Sequence, residues 1–233
     1  MKWPGELVEA SLIKRYKRFL ADFRLNNGDI VTGHCANTGS MVTCLEDNAP
    51  CWITYHNDPK RKLAWSWQAI RMPDGWVGIN TSIANRLVGE AIENGIIAEL
   101  QGYETRKAEQ RYGQKSRIDF LLTDSQKPPC YVEVKNVTLL LKDGVAAFPD
   151  AITQRGSKHL QELAGMVEAG SRAVLIYCVQ RESAQEVVPA RDHDPEYARI
   201  LGEVVAKGVE VYAYRAEFSN QSLSLRNRLP VVL

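Results

Sequence analysis

The sequence predicts an α/β protein in two parts, a small N-terminal β-barrel over residues 1–80 and a mixed-sheet α/β domain over residues 81–233. Three observations carry this. The first part offers short strand patterns separated by turn residues, with little helical periodicity. The second alternates helical stripes with strand runs. The length, 233 residues, accommodates two modest domains that each bury a core.

In the first part, residues 16–25 read as a strand, Asn26-Asn27-Gly28-Asp29 as a hairpin turn, and residues 30–35 as its partner. Residues 41–45 and 51–55 are short strand runs separated by Asn48-Ala49-Pro50. A second hairpin runs over residues 63–72, turns at Pro73-Asp74-Gly75 and returns over 76–79. Short strands so closely spaced suggest a closed barrel of the oligonucleotide-binding (OB) kind, and closure removes the exposed edges they would otherwise leave. In the second part, residues 82–94 form a helix with Thr81 or Ser82 as N-cap and Gly95 at its end. Strands follow at 103–112, 117–122 and 130–140, then a long helix over 150–168 that stops at Gly170. An apolar strand (173–179), a helix (195–207) and a strand (209–214) complete the order. That strand-helix-strand ending favours a parallel, buried portion of sheet. No internal repeat is present.

Composition narrows the function classes. No apolar stretch approaches the ~18 residues of a membrane span, and the first residues lack the apolar core of a signal peptide. Five cysteines without a C-x-x-C pair suggest reduced thiols and a cytoplasmic location. The net charge of +1 does not advertise nucleic acid. Local clusters do more: Lys14, Arg15, Lys17 and Arg18 around Tyr16, and Lys60-Arg61-Lys62, are suited to phosphate contacts, although on composition alone they read equally well as solvated patches. Of Trp52, Trp65 and Trp67, the last two share a strand face on which bases can stack, with core packing the alternative. His34 with Cys35, Cys44 and Cys51 has the wrong spacing for a zinc knuckle.

The chemistry concentrates between Arg117 and Lys135. Side chains alternate along a strand, so Val132 and Val134 point one way and Glu133 and Lys135 the other. In the preceding strand Ile118, Phe120 and Leu122 share a face opposite Asp119. Asp119, Glu133 and Lys135 therefore converge, which costs stability inside apolar strands unless they are paired or bind an ion. Facing carboxylates suit Mg²⁺ or Mn²⁺, which would polarise a phosphate and acidify a bound water. Lys135 would orient that water or stabilise charge on the phosphate. An edge strand with a plain ion pair is the alternative. Glu90, at the edge of the stripe Ile83, Leu87 and Ala91, can complete a metal site or pair with Arg86. Phe148-Pro149-Asp150 caps the long helix, whose first turns carry Gln154, Arg155 and Lys158 where phosphate binds well, or form a solvated face. His159, on the inner part of that helix, reads as a satisfied structural histidine.

Several segments together are more specific. H-C-A-N-T-G-S-M (34–41), K-R-K-L-A-W (60–65), N-T-S-I-A-N-R-L (80–87), S-R-I-D-F (116–120), Y-V-E-V-K-N-V-T-L (131–139), F-P-D-A-I-T-Q-R-G-S-K-H-L (148–160) and the L-P-V-x-L tail resemble the sugar fermentation stimulation protein A family of bacteria. The resemblance implies an OB barrel joined to a restriction-endonuclease-like domain of the PD-(D/E)xK type. It implies DNA binding without strong sequence preference, and a regulatory part in maltose metabolism. By that likeness Asp119, Glu133 and Lys135 take the D…ExK positions and Glu90 the helical acidic one. Ile118 stands where such nucleases often have proline. The expectation is a DNA-binding protein with an Mg²⁺-dependent phosphodiesterase site, its phosphate held by Arg155 and Lys158. RNA remains open as a partner and a homodimer as the assembly, with no membrane partner. The competing expectation is a non-catalytic DNA-binding regulator that keeps the nuclease fold.

Overall fold

Alternation of apolar and polar side chains from Leu7 onward starts the barrel nine residues earlier than the turn chemistry suggests. The computed structural model describes residues 1–113 and 116–233. Its first strands are β1 (Leu7–Tyr16), β2 (Leu20–Leu25), β3 (Ile30–His34), β4 (Pro50–Tyr55) and β5 (Trp65–Met72). Antiparallel pairing joins β3-β2-β1-β4-β5, and a short parallel pairing of Gly33 with Trp65 and His34 with Ser66 closes the circle. A further strand, β6 (Gly75–Gly78), hangs on β5. Leu12, Phe23, Ile53, Trp67 and Ile70 fill the interior. Residues 16–25 are therefore not one strand: the chain reverses at 17–19, where Lys17 and Arg18 adopt left-handed φ of 49° and 63°. Lysine and arginine are unusual there, and no glycine or asparagine marks the turn. Residues 41–45 are not a strand either. They form a loop that drops Met41 and Cys44 into the core.

Asn80 caps the next turn, accepting the Ser82 N–H, so neither Thr81 nor Ser82 is the cap. One tight turn (Thr81–Ile83) leads into α1 (Ala84–Glu93). The remaining strands are β7 (Thr105–Tyr112), β8 (Ser116–Thr123), β9 (Cys130–Val137), β10 (Leu139–Lys142), β11 (Val145–Phe148), β12 (Arg172–Val179), β13 (Glu186–Pro189), β14 (Glu210–Phe218) and β15 (Leu223–Leu229). The helices α2 (Gln154–Glu168) and α3 (Pro195–Ala206) complete the chain. The main sheet has the order β15-β14-β12-β9-β8-β7, with β9, β12 and β14 parallel and buried in its centre. α1 covers one face through Leu87 and Val88 against Val132 and Ile176. α2 and α3 cover the other through Leu160, Leu163 and Leu201 against Leu175. A second sheet, β10-β11-β13, flanks the junction.

Two further strand expectations and one helix expectation need correcting. Residues 130–140 divide into β9 and β10 at the buried Thr138. The helix expected from 150 begins only at Gln154, capped by Thr153, because Asp150 is engaged by the barrel: its carbonyl accepts the Ser40 hydroxyl at 2.9 Å. β11, β13 and β15 have no counterpart in the expected order.

The two parts are sewn together by polar groups. The Arg181 guanidinium, almost fully buried, holds the Asp74 carboxylate at 2.9 Å and the carbonyls of Thr43 and Thr138. Beside it, hydrogen bonds link Thr54, Gln68 and Asn80, and the Gln180 amide donates to both the Asn80 carbonyl and the Asn136 side chain. Trp3, ahead of the barrel, donates from its indole to the Ser219 carbonyl at the far end of the chain. All five cysteines are buried free thiols. Among the described residues no helix is long and apolar enough to cross a membrane.

Candidate metal centre and nucleic-acid interface

The site forms where two strands part. β8 and β9 pair from Phe120↔Val132 to Leu122↔Cys130, and the ladder goes no further. At the opening, Asp119 Oδ2 accepts the Val134 N–H at 2.7 Å, doing the work of a strand carbonyl. Its Oδ1 accepts the Asn85 side-chain amide of α1 at 2.7 Å. The opening also breaks the expected alternation: Phe120 and Leu122 pack on the α1 side, but Ile118 joins the core under α2 and α3.

Glu133 sits across this opening, its side chain 4% exposed. Oε1 receives the Lys135 ammonium at 2.6 Å and the Nδ1 of His159, which comes from α2. Arg155 Nε donates to His159 Nε2 at 3.4 Å, so the ring proton belongs on Nδ1 and points at Glu133. Burial pushes the Glu133 carboxyl up, but the His159 hydrogen bond and the Lys135 charge outweigh it and hold the group below its ordinary value. Asp119 goes the other way, pushed up by burial and then by the negative Glu133. The hydroxyl of Tyr112 is buried nearby, its ionisation driven far up by burial and by Glu133 and neighbouring carboxylates.

Among the described residues, two polar atoms in this patch have no partner: Glu133 Oε2 and the Tyr112 hydroxyl, both buried. An unsatisfied buried carboxylate oxygen is costly, and a cation placed on it removes the cost. The donors suit a hard divalent ion, since Asp119 and Glu133 supply anionic oxygen and Asp119 keeps a lone pair free on each oxygen. Among the described residues no three carboxylate, imidazole or thiol groups gather closely enough to cage a metal alone. Two carboxylates with water and phosphate completing the shell is an ordinary arrangement for Mg²⁺.

Glu90 is not drawn into this patch. It lines the cleft beside Asp119 and Phe120, but its Oε1 takes the Met1 ammonium at 2.6 Å instead of Arg86. Of the α2 cations, Arg155 braces His159, while Lys158 lies 3.6 Å from Glu162.

The barrel cations divide. Arg15 is structural, its guanidinium holding the carbonyls of Asn37 and Gly39 at 3.0 Å. Lys14 lies 3.7 Å from Asp22. Lys17 and Arg18 project from the β1–β2 turn, and Lys60 and Lys62 from the β4–β5 loop, where exposed Arg61 turns one guanidinium nitrogen back to the Ser66 hydroxyl at 3.0 Å. These two segments flank β3: His34 at its end pairs with Leu20 on one side and Ser66 on the other, soon after each basic segment. Half-exposed Phe19 and Tyr55 stand beside them, Tyr55 against Trp65 at 5.1 Å. Trp67 is wholly core, and Trp52 stacks on Trp76 at 3.7 Å, so neither is free to take a base.

Sequence reasoning missed Asn85, Tyr112 and the partnership of His159. The spacing of Arg155 and His159, one helical turn apart, was the available signal for the last. It also passed over the β7–β8 ribbon, where exposed Arg111 and Arg117 stand directly opposite each other. Like charges so paired repel, and a phosphate between them would relieve the strain.

Comparison with known proteins extends to the whole chain. A family model described as the sugar fermentation stimulation protein RE domain matches residues 82–222, and one described as the SfsA N-terminal OB domain matches residues 13–79. A sugar fermentation stimulation protein homolog of Marinomonas sp. is 51% identical, covering 100% of this chain and 91% of that protein. The homolog of Geotalea daltonii is 52% identical over 97% of both. Among solved structures, one described as Pyrococcus furiosus SfsA in complex with Ca²⁺ superimposes with a TM-score of 0.88 at 25% identity, covering 100% of this chain and 98% of that one.

Proposed function

The chain belongs to the sugar fermentation stimulation protein family, and from that premise we propose that it binds DNA with little sequence preference and hydrolyses phosphodiesters at a divalent-cation site formed by Asp119 and Glu133. The observation that carries the reading is the buried, partnerless Glu133 Oε2 beside an Asp119 that is hard to ionise. The Pyrococcus furiosus relative was solved with Ca²⁺, which supports a divalent ion here, with Mg²⁺ or Mn²⁺ as the working choice. Such an ion supplies an acidified water and a polarised phosphate. The protein does the rest. His159 and Lys135 fix Glu133 Oε1 and leave Oε2 unpaired, where it would help hold the ion. Asn85 and the Val134 N–H fix Asp119. Lys135 places positive charge beside the scissile phosphate, where negative charge grows during attack. Lys17, Arg18, Lys60, Arg61 and Lys62 hold backbone phosphates without reading bases.

The test is cleavage of labelled single- and double-stranded DNA with Mg²⁺ or Mn²⁺, run beside binding at two salt concentrations. Glu133→Ala and Lys135→Ala should abolish cleavage while salt-sensitive binding persists. Thermal stability provides an independent readout: at a metal concentration of 100 Kd the native state gains about 2.7 kcal/mol, about 5–10 °C in Tm, and Glu133→Ala should lose it. A specific observation favours the second reading, a non-catalytic DNA-binding regulator of sugar use: the Lys135 ammonium is already paired with Glu133. Binding without cleavage and without a metal-dependent Tm would select it.

A further inference from the structure

A second built cavity lies at the end of β9, between the barrel loop at Asn37–Gly39 and the segment that leads into α2. It measures about 230 Å³. Ordinary small-molecule sites run to ~300–1,000 Å³, so this one holds a single ring system. Its walls are chemically mixed. Leu139 and Phe148 make an apolar side, and Asn37, Asn136, Thr138 and Asp150 a polar one.

The polar side has spare capacity. Asn37 is 4% exposed and Thr138 6%. Asn37 Oδ1 accepts the Gly39 N–H, but its amide N–H₂ has no partner among the described residues. The Thr138 hydroxyl has only the weak company of the Cys44 thiol, and its carbonyl holds Arg181. Asn136 gives its oxygen to Gln180 and keeps its two donors. Asp150 Oδ2 lies near the Ser40 hydroxyl, leaving Oδ1 open. These side chains line the cavity, so their free donors and acceptor can bond a ligand there in place of water. That ligand must offer both donors and acceptors along one edge, carry no negative charge against Asp150, and present a flat apolar face to Leu139 and Phe148. A phosphate fails the second requirement and a bare sugar the third.

We propose that this cavity receives one nucleobase. The proposal rests on the nucleic-acid reading above and deepens it. Asn136 follows Lys135 directly on β9 with its side chain on the opposite face, against Gln180, so the cavity opens at the same end of that strand as the metal centre. A strand whose phosphate lies at Glu133 and Asp119 can drop a neighbouring unpaired base into it, read by edge hydrogen bonds and packed on apolar walls as flipped bases are. A paired base cannot enter, so the site selects single strands, ends or distorted duplex. A free nucleotide would present the same chemistry.

Binding by the full chain, in Ca²⁺, of a 12-nucleotide single strand and of the same strand stripped of all bases separates these cases. The two carry equal charge. The base-bearing strand should bind about tenfold more tightly. Thr138→Val, which gives up only a weak contact with the Cys44 thiol, should remove most of that difference and leave the stripped strand and the metal-dependent Tm unchanged. Asn37→Asp, which keeps the Gly39 acceptor and loses the donors, should act alike. In parallel, Tm is measured with millimolar deoxynucleosides and with deoxyribose 5-phosphate. Stabilisation by nucleosides alone, lost in Thr138→Val, together with no affinity for any strand, keeps the base pocket, assigns it to free nucleotides and overturns the nucleic-acid reading. Strand binding that ignores both the bases and Thr138→Val, with no nucleoside effect, overturns the pocket and leaves the nucleic-acid reading standing. Neither ligand binding overturns both.

Discussion

His159 determines what Glu133 can offer. Its Nδ1 and the Lys135 ammonium both occupy Oε1, which leaves Oε2 as the free buried oxygen. His159→Ala should let burial push the Glu133 carboxyl back up, destabilise the fold by about 1–3 kcal/mol, and weaken the metal-dependent rise in Tm. Chemical denaturation with and without Mg²⁺ measures both effects. The two carboxylates respond to acid with opposite signs. Glu133 is depressed, so its contribution to stability is complete above the ordinary glutamate range near ~4.3 and is lost as pH falls through its lower folded value. Asp119 is raised, so it takes up a proton before an ordinary aspartate would, and that uptake favours the fold. Under the proposed function, protons would therefore compete with a bound ion first at Asp119. Calorimetric titration should show metal affinity falling on acidification while the metal-free fold is still intact. At this scale Asp119, Glu133 and Lys135 were legible because a strand's alternation places them. Asn85 and Tyr112 were not, since what joins them to the site is the parting of β8 from β9, which leaves no mark in either strand's pattern.

Among the elements, the proposed function makes the β1–β2 turn a place where stability is given up for DNA binding. Lys17 and Arg18 accept left-handed backbone angles that cost a non-glycine residue about 1–2 kcal/mol each. Arg18→Gly should therefore raise stability by about 1 kcal/mol while weakening DNA binding and lowering its salt slope by about one unit. A variant that both loses stability and keeps its salt slope would refute this role for the turn. The absence of a turn signal is also why one long strand was expected there. The long helices and the apolar β12 were legible from their periodicity. The four-residue strands β11 and β13 were not, because so short a run carries no period and owes its shape to its partners. The late start of α2 has the same origin: the residue that should cap it, Asp150, is engaged by a loop more than a hundred positions earlier.

At the scale of the whole molecule, one buried ion pair fastens barrel to sheet. Removing the Asp74 carboxylate would strand the Arg181 charge inside, a loss of about 3–5 kcal/mol for such pairs. Asp74→Ala should lower Tm and let the barrel melt ahead of the α/β part, visible as a second calorimetric transition. Burial pushes Asp74 up, but the Ser183 hydrogen bond and the Arg181 charge prevail, so the fastening holds above the ordinary aspartate range and slackens below it. The two-part order was legible from the change of pattern near residue 80, but the polar seam was not: asparagine and glutamine have no period. The bond from the Trp3 indole to the Ser219 carbonyl has a consequence for the making of the protein. A ribosome delivers residue 219 long after residue 3. The barrel can close during synthesis, but the opening segment must wait, undocked, for nearly every later residue to emerge. Its docking is then a late step of folding, and a sequence-distant one, which is the kind of contact that slows a chain's approach to its native state.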